Sequence, residues 1–117
     1  MYFGTNRNRI DTDECFGPDM GSHPALFRVG RAVVDVTVSV TSDEVSGEST
    51  IDGDIEVYEE TLSQDRTRFD TVGTTRLVSE LGETMRDDKA DLLCLILGFD
   101  YTFRESIERA ALLAALY

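Results

Sequence analysis

Four carboxylates near the N-terminus, Asp11, Asp13, Glu14 and Asp19, crowd together in a way that could hold a hard divalent cation, which takes oxygen ligands from alternating loop positions. The spacing departs from a calcium loop: Cys15 stands where a fifth-position oxygen belongs, and Phe16 where the turn glycine belongs. These residues read as a solvated polar loop, with no metal site expected. Asp52, Asp54 and Glu56 are better organised, because a spacing of two puts all three on one face of a strand. Such a row can be the wet face of a sheet. It can also be an acidic ribbon that meets a basic patch on a partner.

Other reactive types are isolated. His23, directly before Pro24, is the single histidine, and no nucleophile or orienting group falls in a pattern with it. Cys15 and Cys94 do not form a Cys-x-x-Cys pair, and a zinc site from the usual ligands is not expected. Cys94, inside Leu92-Leu93-Cys94-Leu95, reads as a free, buried thiol. Neither phosphate-binding glycine pattern is present. The expectation is a non-enzymatic protein without cofactors.

Charge narrows the partners. The chain of 117 residues has 23 acidic and 11 basic side chains, a formal net charge of −12, and Lys89 is its one lysine. Arg7 with Arg9 and Arg66 with Arg68 are short basic pairs embedded in acid, so nucleic acid and anionic lipid are not expected partners. Residues 28–62 carry nine acids and two bases, whereas residues 63–117 carry ten and seven. A general adaptation to salt would spread acid evenly. The concentration instead singles out Asp43, Glu44, Glu48, Asp52, Asp54, Glu56, Glu59 and Glu60 as a candidate acidic face for a basic protein surface.

The elements that position these residues follow from periodicity. Residues 1–27 hold both prolines and read as an extended arm whose Tyr2, Phe3, Ile10, Phe16, Leu26 and Phe27 need a docking surface on this domain or on a neighbouring subunit. Residues 28–117 read as one domain. Val34, Val36, Val38 and Val40 alternate with Asp35, Thr37, Ser39 and Thr41 as a half-buried strand. Residues 42–50 read as a loop. A second strand turns Ile51, Gly53, Ile55 and Val57 to one face, completing an antiparallel hairpin. A two-stranded hairpin is marginal, so a third strand is expected from residues 66–72 or from the arm.

After Gly73 the period becomes helical. Leu77, Val78, Leu81 and Met85 make the stripe of a first helix starting near Thr74. Asp88 with Asp91 signals a second, whose run Leu92–Leu97 should be buried and which Gly98 ends. Thr102 with Glu105 forms a capping box for a third, with Ile107, Ala110, Ala111, Leu113 and Ala114 on a close-packing face. The fold class is α+β: a small antiparallel sheet, a hairpin or three-stranded meander, preceded by the arm and followed by two or three helices.

Two functions fit this organisation. One is a structural assembly subunit, such as a virion-type protein, forming a homo-oligomer through Tyr2, Phe3, Phe16, Phe27, Ile107, Ala111 and Ala114. The other is an acidic inhibitor or antitoxin-like protein whose hairpin masks a basic nucleic-acid-binding surface. No stretch of 18 apolar residues occurs, so a soluble chain in the cytoplasm, or in a virion assembled there, is expected.

Overall fold

A computed structural model describes residues 1–20, 27–60, 64, 72–89, 91–96 and 101–116. In chain order the elements are β1 (Tyr2–Thr5), β2 (Arg7–Arg9), β3 (Phe16–Met20), β4 (Arg28–Val40), β5 (Val45–Tyr58), α1 (Val72–Asp88) and α2 (Phe103–Leu116). They form an α+β fold with a three-stranded antiparallel sheet in the order β1-β4-β5 and a separate β2-β3 pair. No described helix is long and apolar enough to cross a membrane.

The long hairpin forms because valines alternate with polar residues over most of β4, and β5 answers them with its own alternation. Its turn is tighter than the expected 42–50 loop. Thr41 N–H donates to the Glu44 carbonyl at 2.8 Å and Glu44 N–H to Thr41 Oγ1 at 3.2 Å, leaving Ser42 and Asp43 as the tip. The polar stretch Ser46–Thr50 is therefore strand, paired with Ser39 back to Asp35. Pairing with β4 extends it, and Gly47 lets α2 approach closely, since a side chain there would sit 2.5 Å from Leu112. Nearer the other end, Arg31 lies opposite Glu56 and Val33 opposite Asp52, a bulge in β5 that takes Gly53 to a φ of +76°.

The third strand comes from the arm. Tyr2 to Thr5 pair with Arg31 to Arg28, and the terminal amino group donates to the Ala32 carbonyl at 2.8 Å. Residues 66–71 of the other expected strand lie outside the described residues, and Val72 begins α1. The arm thus belongs to the same core as the hairpin. Phe3, Phe16 and Phe103 meet with ring centroids 4.6 to 6.0 Å apart, over Ala32, Ile51, Ile55 and Ile107. Arg7 ties the arm to the approach of α2, both terminal nitrogens donating to the Tyr101 carbonyl at 3.1 Å.

α2 starts at its capping box: Thr102 N–H donates to Glu105 Oε2 at 2.8 Å and Glu105 N–H to Thr102 Oγ1 at 3.2 Å. α2 covers the sheet face of Ala32 and Ile51, and α1 lies against the opposite face at Tyr58. The helix expected from Asp88 does not form over the described residues. Asp88 is the last residue of α1, Lys89 turns to a φ of 50°, and residues 91–96 are neither helix nor strand. Residues 92–96 of the run expected to be buried lie exposed, and Cys94 is a free, exposed thiol.

Candidate interaction surfaces

The eight carboxylates of the candidate acidic face divide into two groups. Asp43 and Glu44 stand at the hairpin tip, Glu48 and Asp52 on the outward face of β5, and Asp54 in the bulge; all five are exposed and make no salt bridge among the described residues. Asp35, on the outward face of β4, joins them. Its alternation with the valines was a signal that could have placed it there. Glu56 and Glu60 are half-buried and Glu59 is exposed, and each has a partner within the chain.

Those three hold α1 and the arm. Glu60 Oε1 accepts from Thr74 N–H at 2.7 Å and from Thr74 Oγ1 at 2.9 Å, capping the start of α1. Glu59 pairs with Arg9 at 2.6 Å. Glu56 accepts from Arg31 Nε at 2.8 Å and pairs with Arg76 Nη2 at 2.7 Å; Arg76 Nε reaches Glu80 Oε1 at 2.7 Å. Tyr58 donates its hydroxyl to Glu80 Oε2, and the Arg76 guanidinium lies 4.0 Å over its ring. Only the Arg76–Glu80 pair, four positions apart on α1, is local in sequence; the links to β4 and β5 are not.

The electrostatics follow from these contacts. Burial, then the bond to Glu80, pushes the Tyr58 hydroxyl up to about 12. The Arg31 hydrogen bond, then that of Arg76, holds Glu56 below its ordinary 4.5; the Tyr58 and Arg76 hydrogen bonds do the same for Glu80. A carboxylate whose pKa is depressed on folding stabilises the fold above its unfolded value and loses that contribution as pH falls through the folded one. Amide-exchange protection of α1 is therefore expected to hold steady above pH 4.5 and to decline below it, ahead of α2. Equal loss in both helices would contradict this assignment.

The N-terminal acids also find a structural use. Glu14 Oε2 accepts from Arg104 N–H at 3.3 Å in the first turn of α2, and Arg104 Nη1 donates to the Asp13 carbonyl at 3.4 Å. These groups border a concavity with Thr12, Cys15, Gly53 and Asp54. Burial raises the Cys15 thiol above its ordinary value, the opposite of an activated nucleophile. No group of three or more metal-ligating side chains occurs among the described residues, and His23 lies outside them.

Of the residues expected to contact another copy, Phe3, Phe16, Ile107 and Ala111 are a correction: all four are buried in this chain's own core, where packing of the arm on α2 leaves them no surface to offer. Tyr2 is half-buried, and Phe27 and Ala114 remain exposed. Larger apolar surfaces appear elsewhere. Leu92, Leu93, Cys94, Leu95 and Ile96 are all exposed, Ile96 by 95 %. The valine face of the hairpin also runs on past the cover of α2, leaving Val40 72 % exposed, Val45 exposed, and Leu113 and Leu116 open at the end of the helix.

Comparison with protein families, with curated proteins and with solved structures finds no match to this chain.

Proposed function

We propose that the chain is a non-enzymatic structural subunit that builds a homo-oligomer, of the kind that forms a virion component or another ring or shell assembled in the cytoplasm. The observation that carries this reading is the run Leu92–Ile96. Five successive apolar side chains without charge stand exposed, and water-exposed surface of that kind is costly to a free monomer. On a chain of net charge −12, an uncharged patch is also where two copies can meet with the least like-charge repulsion.

A second reading, an acidic inhibitor that masks a basic surface, draws on Asp35, Asp43, Glu44, Glu48, Asp52 and Asp54. Glu56 is already paired with Arg31 and Arg76 and Glu60 caps α1, and this reading leaves the exposed run without a role. Salt separates the two. Screening weakens repulsion between acidic copies, so the self-association constant measured by sedimentation equilibrium should rise with sodium chloride. Binding to a basic partner should fall steeply instead. Self-association absent at every salt concentration would overturn the assembly reading.

A further inference from the structure

The sheet has two long outer edges, and they are built differently. On the β5 side the edge is blunted. Ile51 N–H is taken by Glu108 Oε1 at 3.2 Å, and the Ile51 carbonyl accepts from Arg104 Nη2 at 3.5 Å. The bulge at Gly53 then interrupts the strand, and Glu48, Asp52 and Asp54 line it with charge. Bulges, charge and covering side chains are the devices by which proteins keep an edge from pairing.

The outer edge of β4 has few of these. β1 covers it from Arg28 to Arg31, and the Met1 carbonyl accepts from Ala32 N–H at 2.9 Å. Beyond Ala32 no described strand pairs with this side of β4. Since Ala32 turns its N–H and carbonyl outward to Met1, the two-residue period turns those of Val34, Val36, Val38 and Val40 outward as well. From Val33 to Val40 the one charged residue is Asp35. There is no proline and no glycine.

The geometry points to a second copy of this chain as the occupant of that edge, β4 pairing antiparallel with its own equivalent about a two-fold axis at Thr37. This rests on the assembly reading and names its contact. The register is self-complementary. Val36 falls opposite the partner's Val38, and Val34 opposite the partner's Val40, so the valine face continues across the junction and covers the exposed Val40. Asp35 falls opposite the partner's Ser39, so no carboxylate directly faces another. Each outward valine gives one N–H and receives one, as an antiparallel ladder requires. The isologous pairing closes on itself and joins two sheets into one. A β5-to-β5 pairing would instead set the acidic row of Glu48, Asp52 and Asp54 against itself.

Two cysteine variants, in a background of C15S and C94S, test the register. Thr37 and Ser39 are both exposed, and their N–H groups turn toward β5, so Thr37 meets the partner's Thr37 as a pair without mutual hydrogen bonds. Such pairs place their Cα atoms about 4.5 Å apart, within disulfide reach. Thr37→Cys should form an interchain disulfide in air at least about tenfold faster than Ser39→Cys, whose opposite residue is Asp35, by analogy with proximity effects on intramolecular reactions. Val38→Pro removes an outward N–H that makes no bond to the described residues. It should weaken pairing about tenfold or more, a scale set by losing ladder hydrogen bonds, while leaving the far-ultraviolet circular dichroism unchanged. Equal cross-linking of the two cysteine variants in a chain that is oligomeric overturns the edge while the assembly reading stands. Equal cross-linking in a chain that is monomeric throughout overturns both.

Discussion

Phe16→Ala lowers the melting temperature by on the order of 10–20 °C, reflecting a loss of roughly 3–5 kcal/mol of stability. Phe16 is 1 % exposed and packs against the rings of both Phe3 and Phe103, at centroid distances of 6.0 and 4.6 Å. Truncation removes both ring contacts and leaves a cavity walled by strands and a helix that cannot all relax inward. The loss is a large part of the 5–15 kcal/mol that a domain commonly has in total. Because Phe16 lies in the arm, the result also tests whether the arm is integral to the fold. A melting temperature within a few degrees of the parent would mean that the arm docks without supporting the core.

Replacing Leu93 and Ile96 together by Asp collapses the assembly to no more than the pair joined through β4, with the fold of each copy retained. Both side chains are exposed, so removing them takes no contact from the core, and surface changes of this sort commonly shift stability by within about 0.5 kcal/mol each. In an interface the same change buries two unpaired carboxylates per copy against a neighbour that is itself acidic. Far-ultraviolet circular dichroism of the variant should match the parent while its sedimentation coefficient drops. An unchanged sedimentation coefficient would show that the run is not the contact.

These two sites show where the amino-acid order is informative and where it is silent. The hairpin strands and the Thr102–Glu105 cap were legible because their determinants are local: alternation at spacing two, and reciprocal bonds at spacing three. The arm was harder. Its aromatic residues follow no period, since Phe3 and Phe16 are fixed by Phe103, which lies far along the chain. The composition of Leu92–Leu97 says that such a run needs cover, but it does not say whether the cover is this chain or another. Of the candidate acidic face, Asp52 follows from strand period; Glu48 falls in the stretch whose composition reads as a loop, and Asp54 in a bulge that interrupts the period. The role of Glu60 does not follow from it, because its partner Thr74 lies 14 positions away and on a helix.

Assembly is the central claim, and the mass of the unmodified chain in solution tests it most directly. Light scattering coupled to gel filtration, repeated over a series of sodium chloride concentrations, should give a single species whose mass is a whole multiple of 13.0 kDa greater than one, best populated at the higher salt concentrations. A single species of 13.0 kDa at every salt and protein concentration would contradict the account.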